Sequence, residues 1–244
     1  MVRAMRVAGW TSAMIFALIL VIAAILTGIQ WRNRARAESL LRQVETIRVG
    51  GSTKSDVRRI FSGYPSEEFQ ALSSLCPHAD SNLSVYVRSE FLNRISNALP
   101  QLRMIGLAPW GAGATVLFEQ GKVCNFDYSF GAPLPDKSQE LDVTLTGTLL
   151  EGEDSHVKFG SYWSRYSLVR GHIHSFKVHI SPDAIPDERR KAFDFNLSCV
   201  SRVGGCRAIC EVMPSALLDY QRTEGSRLPP EELNDPRCKH LAEQ

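Results

Sequence analysis

Charge bias is what this chain most lacks. Lys and Arg number 28 against 26 Asp and Glu, a formal net charge of +2, so it carries no electrostatic footprint for nucleic acid. The familiar catalytic signatures are missing too. There is no Gly-x-Ser-x-Gly elbow, no His-Glu-x-x-His pair and no Walker lysine, which removes the recognisable serine-hydrolase, zinc-protease and P-loop readings. No Cys-x-x-Cys and no Cys-x-x-Cys-His occur, so neither a thioredoxin-type redox centre nor a c-type haem is expected. Internal repeats and long low-complexity runs are absent. No catalytic residue, metal site or cofactor is assigned, and whether the chain is an enzyme stays open.

What the chain does have is an apolar run from Ala8 to Trp31 without a charged side chain. A bilayer core about 30 Å thick needs roughly 20 apolar helical residues. The clearly polar residues Thr11, Ser12, Thr27 and Gln30 sit towards the ends of the run, and Trp10 and Trp31 stand where headgroups favour aromatic rings. The run therefore reads as one transmembrane anchor, in contact with the lipid bilayer. A cleaved signal peptide is the competitor, since Ala35-Arg36-Ala37 has the small-x-small form. The apolar run is longer than the roughly 7–15 residues of a signal peptide, and Arg32 and Arg34 intervene before the site.

Orientation has arguments on both sides. Arg32, Arg34, Arg36, Arg42 and Arg48 follow the run, against Arg3 and Arg6 before it, and arginine tends to stay in the cytoplasm. Yet the N-terminal tail is very short, large domains translocate largely regardless of charge, and an even set of six cysteines suits an oxidising compartment. The expected location is the plasma membrane, single-pass as a signal anchor, with the C-terminal domain extracytoplasmic.

Beyond the anchor, Arg32 to Val49 carries apolar residues at helical steps (Leu40, Leu41, Val44, Ile47), and Gly50-Gly51 ends the pattern. Thr53 and Asp56 form a capping box for a second helix bearing Val57, Ile60 and Phe61. Residues 66–83 read mostly as loop. Ser84–Arg88 alternates as a strand, and Phe91, Leu92, Ile95, Leu99 and Leu102 share a helical face interrupted at Pro100. Leu107 to Gly113 reads as a connector. Two strand-like runs flank Gln120-Gly121 as a hairpin, and further strands are expected at 141–150, 156–159, 162–169, 171–181 and 192–201. Pro214 to Gln221 reads as a helix. Hairpin-like neighbours without regular intervening helices imply an α+β fold, an N-terminal transmembrane helix followed by a mostly antiparallel sheet with packed helices. The expected organisation is a tail at 1–7, the anchor at 8–31, a helical stalk and helix-turn-helix at 32–65, a globular domain at 66–226 and a polar tail at 227–244.

Ile47, Gly51, Thr53, Asp56-Val57 and Gly63-Tyr64-Pro65 form a helix, a Gly-x-Thr turn, an acidic-Val pair and a Gly-x-Pro ending. Over residues 47–65 this resembles the first unit of the SmpA/BamE-like envelope proteins, and the resemblance implies a place in the cell envelope. The chain departs from those lipoproteins in having no cysteine before Cys76. Its layout as a whole resembles single-pass membrane-anchored bacterial proteins.

The cysteines, Cys76, Cys124, Cys199, Cys206, Cys210 and Cys238, read as disulfide candidates whose connectivity spacing does not fix. Cys76 with Cys124 and Cys199 with Cys206 are the pairs expected, leaving Cys210 and Cys238 to pair or stay free. A metal site from Cys206, Cys210, Cys238 and His240 lacks the usual Cys-x2-Cys knuckle. His172 and His174 share one strand face with Phe176 and Val178 and read as a partly buried or surface pair rather than metal ligands. Glu151, Glu153 and Asp154 lack calcium-loop spacing. The functional expectation is a binding or scaffolding domain at the membrane surface, with other envelope proteins as partners and no nucleic acid. A hydrolase assembled from His172, His174 and distant acidic residues is the alternative.

Overall fold

One helix carries two kinds of surface. In the computed structural model, which describes residues 2–69, 76–88, 90–98, 109–134, 139–148, 161–202, 205–224 and 238, helix α1 runs unbroken over Val2–Glu45. At about 1.5 Å per residue it is roughly twice as long as a bilayer core is thick. Phe16, Leu18, Ile19, Leu20, Val21, Ile22 and Ile25 all point outward, and the helix is long and apolar enough to cross a membrane. Further along, Ala37, Leu40, Leu41, Val44 and Ile47 are buried in the domain core. The segment read as a stalk therefore shares one core with the sheet. Gly50 takes a positive φ of 75° after the helix. Thr53 then caps α2 (Lys54–Ile60), with Asp56 completing the capping box.

The sheet has seven strands: β1 (Ser66–Phe69), β2 (Ser81–Arg88), β3 (Gly111–Glu119), β4 (Lys122–Pro133), β5 (Glu140–Thr148), β6 (Tyr162–Val169) and β7 (Ile173–Ile180). Their order is β1-β2-β3-β4-β5-β7-β6. Every pairing is antiparallel except β5 with β7. Gln120 and Gly121, at φ 51° and 74°, form the two-residue turn between β3 and β4, matching the twist of the flanking strands as primed turns do. Helix α3 (Glu90–Ala98) lies between β2 and β3. Helices α4 (Pro186–Ala192), α5 (Ile209–Val212) and α6 (Pro214–Glu224) follow the sheet. The helical layer packs on one face, where Phe126 meets Phe193, Tyr128 meets Phe195 and Phe176 meets Tyr220. The class is α+β.

Three expectations change. The stretch 66–83 is not loop throughout, because β1 and the start of β2 lie in it. β1 is exposed at all four positions, so it shows no alternation for a sequence reading to find. The chain from Ala192 to Ser201 is not a strand. Phe193, Phe195, Leu197 and Cys199 alternate, yet the segment ends α4 and turns into a 3-10 helix, Leu197–Ser201, whose start the Asn196 side chain caps by accepting from the Ser198 amide. A side chain that satisfies the backbone locally competes with a sheet ladder. Gly111–Gly113, read as connector, opens β3. The expected strand at 156–159 and the acidic run at 151–154 lie outside the described residues.

Three disulfides join Cys76 to Cys124, Cys199 to Cys206 and Cys210 to Cys238. The first clamps the segment before β2 onto β4 beside the register shift at Leu117/Phe118.

Candidate functional site

The sheet's second face is polar, and its rows are set by strand register. One row crosses all seven strands as Glu67, Ser84, Thr115, Asp127, Thr146, His179 and Trp163. Ser84 and Thr115 hydroxyls lie 3.0 Å apart, Thr146 Oγ1 donates to Asp127 Oδ1 at 2.5 Å, and the Trp163 and His179 rings stack at 3.8 Å. A second row on the same face, four residues along each strand, runs Arg88, Gly111, Gly131, Asp142, Ser175 and Ser167. The two positions between Arg88 and Asp142, Gly111 and Gly131, are glycines, so the surface sinks there. A cavity of about 830 Å³ occupies this hollow, lined by Arg88, Asn93, Arg94, Trp110, Glu140 and Asp142 among others.

Trp110 links the hollow to α1. Its indole Nε1–H donates to Gln30 Oε1 of α1, in the last turn of the apolar run. Gln30 is itself buried. The cavity thus lies at the end of the sheet nearest the apolar run of α1. A second cavity of about 580 Å³ lies at the opposite end. There Arg189 Nη2 donates to the Glu45 carbonyl at 2.7 Å, an α1 C-terminal cap with a structural role.

Burial raises the Asp127 and Asp142 carboxyls above their ordinary value. For Asp127 the Thr146 hydroxyl opposes the rise, and for Asp142 Ser175 does so. Burial likewise pushes the His179 imidazole down to about 4, with Lys177 adding repulsion. The native state therefore holds His179 neutral, while the unfolded chain protonates it near 6.5. Its contribution is complete above about pH 6.5 and lost as pH falls towards about 4, by up to ~3 kcal/mol. The raised carboxyls act with the opposite sign, favouring the folded state at low pH. His179→Phe, which keeps a ring against Trp163, should remove most of the stability loss between pH 6.5 and 4.5. Urea midpoints at the two pH values check this; an unchanged loss would show that His179 is not its source.

The histidines expected on one face separate. His174 is buried, with Nε2 donating to Gln139 Oε1 at 3.0 Å and Tyr166 Oη meeting Nδ1 at 2.9 Å. His172 lies exposed in the turn before β7, its Nδ1 on the Arg170 carbonyl. They form no common centre. Cys206 and Cys210 are taken up in different disulfides, which removes them from the metal reading, and His240 lies outside the described residues. Cys76, Glu119 and Cys124 place ligand atoms within 4.8 Å of one another, but both sulfurs belong to one disulfide. Asp127, Asp142, Arg88 and the glycine pair escaped the sequence reading. Their signal is the polar half of the strand alternation, Asp142, Thr144, Thr146 and Thr148, which becomes a site only through cross-strand register. No protein-family model matches the chain, and no curated protein and no solved structure matches it.

Proposed function

We propose that this is a single-pass envelope protein of the plasma membrane whose disulfide-bonded domain stands on the extracytoplasmic surface and binds or scaffolds a partner there. The observation that carries the reading is the continuity of α1. The same helix that is apolar enough to span a bilayer enters the domain core with Leu40 and Val44 fully buried. Tyr128 and Tyr64 add hydroxyl bonds to the carbonyls of Ala37 and Arg36. A domain held this way has no flexible tether. It keeps one end of its sheet against the membrane and offers a polar face to whatever lies alongside, a geometry suited to holding a partner at a fixed height.

The three disulfides favour an oxidising compartment. A membrane-impermeant maleimide applied to intact cells tests this. The expected result is no labelling before reduction and labelling from outside after it. Labelling that needs lysis but no reduction would place the domain in the cytoplasm and overturn the orientation. Crosslinking on intact cells then addresses the partner. Recovery of the chain alone, with no other envelope protein joined to it, would count against scaffolding.

A further inference from the structure

Three features of the membrane-side cavity point to one kind of occupant. The first is its height. Trp110, on its wall, is bonded to Gln30 of α1, and the next residue, Trp31, is 59% exposed, as expected of a ring at the headgroup level. Phe91, at the start of the helix α3 whose Asn93 and Arg94 line the cavity, is 54% exposed. The second is its charge. Arg88 and Arg94 stand on one wall and Glu140 and Asp142 on the other; none of the polar groups on the α3 side is free, Arg88, Asn93 and Arg94 each having a contact of its own within the chain. The third is its floor. Gly111 and Gly131 separate Arg88 from Asp142 by three inter-strand steps, roughly 14 Å between Cα atoms. A Cβ on Gly131 would meet nothing nearer than the Leu141 carbonyl at 3.8 Å. The glycine is therefore not demanded by packing, and what it leaves is space.

We infer that this cavity takes the head of an amine-bearing zwitterionic phospholipid, its phosphate towards Arg88 and Arg94 and its ammonium towards Asp142 and Glu140. Guanidinium groups suit a phosphate. A primary ammonium donates hydrogen bonds to the two carboxylates, which a quaternary ammonium cannot do, and a phosphoglycerol head brings no cation to the acidic wall. The inference rests on the reading of α1 as a membrane span. It gives the polar face a second task, fixing the tilt of the domain on its own bilayer.

Native mass spectrometry of the full chain in detergent, titrated with phosphatidylethanolamine, phosphatidylcholine or phosphatidylglycerol, reads the retained lipid. One phosphatidylethanolamine should be retained at least ~10-fold more strongly than either of the others, a difference of about 1.4 kcal/mol. Gly131→Leu, which fills the floor, should abolish that preference without lowering the thermal midpoint. If it unfolds the domain, Asp142→Asn serves instead, expected to lose the discrimination between the ethanolamine and choline heads. Arg94→Ala should weaken all three lipids. Leu168→Asp on β6 should change nothing, because the sheet twists by about 20–25° per strand and carries that edge away from the bilayer. Equal retention of the three lipids, or a preference that survives both Gly131→Leu and Asp142→Asn, would overturn the inference. Displacement of the lipid by equimolar O-phosphoethanolamine would show that the site reads a soluble ligand, and so overturn the lipid assignment. Carbonate extraction of the same membranes separates the two readings. Release of the protein would remove the span itself, whereas a protein that stays in the membrane but retains no lipid leaves the span standing and sinks the cavity.

Discussion

Gly147→Ala is expected to destabilise the domain by about 2–3 kcal/mol, a large effect for one methyl group. Gly147 pairs directly across from Phe126, and the phenyl ring lies over it. An added Cβ would sit 2.2 Å from Phe126 Cε1 and 2.4 Å from Cζ, well inside contact distance. The ring has little freedom to retreat. Phe126 is 1% exposed and packs against Phe193 at 6.3 Å between centroids. Its way out is towards the cavity between α1 and α4, and taking it gives up the Phe193 contact. Urea unfolding should show a lower midpoint with an unchanged slope, as for a loss of stability alone. Phe126→Leu will itself be destabilising, since it trims the core. In the double variant the leucine makes room for the alanine, so the two costs should fall short of their sum by more than ~1 kcal/mol. Strict additivity would show that the ring is not what excludes the side chain.

How much of this could be read in the sequence follows from how local each signal is. α1 is a matter of composition and of period: an unbroken apolar run, then Leu40, Leu41, Val44 and Ile47 at helical steps. The Thr53 cap and the Gln120-Gly121 turn lie within a few residues of what they control. The pairings Cys76 with Cys124 and Cys199 with Cys206 match the expected ones, but nothing in the spacing required them. β1 was hidden because it has no buried side to alternate with. The 3-10 helix was hidden because Phe193, Phe195, Leu197 and Cys199 mimic a strand, while the decisive bond is a single Asn196 side chain. The candidate cavity was hidden for another reason. Arg88, Gly111, Gly131 and Asp142 come from four strands, and no one of them is unusual in its own strand. They meet because the register of three separate pairings is additive. A one-residue slip in any of them would send the remaining members to the other face.

Val44→Asp should unfold the domain while leaving the protein in the membrane. Val44 is fully buried in the core that α1 shares with the sheet. A carboxylate there has no partner placed for it; it either stays charged at high cost or takes up a proton and still leaves a polar group in an apolar core. The penalty, with the lost packing, is expected to reach about 4 kcal/mol or more, a large part of the stability of an ordinary domain. Proteinase K treatment of membranes from cells expressing the variant should then digest the domain, whereas the wild-type domain persists. The apolar run is untouched by this change, so the fragment containing it should remain in the carbonate-washed pellet. Leu20→Asp asks the reverse question. Leu20 is 53% exposed on the bare helix, and an aspartate near the bilayer centre costs about 2.5–3.5 kcal/mol on insertion scales. It should lower recovery in the pellet and leave the solubilised domain resistant to protease. The two outcomes together place the border between lipid-facing and core-facing parts of α1 between Leu20 and Val44, where the Gln30–Trp110 bond lies. If Val44→Asp released the protein from the membrane, or Leu20→Asp opened the domain to protease, α1 would not divide its work in this way. The helix would then be a core element along its whole length, and the height assigned to the cavity would lose its basis.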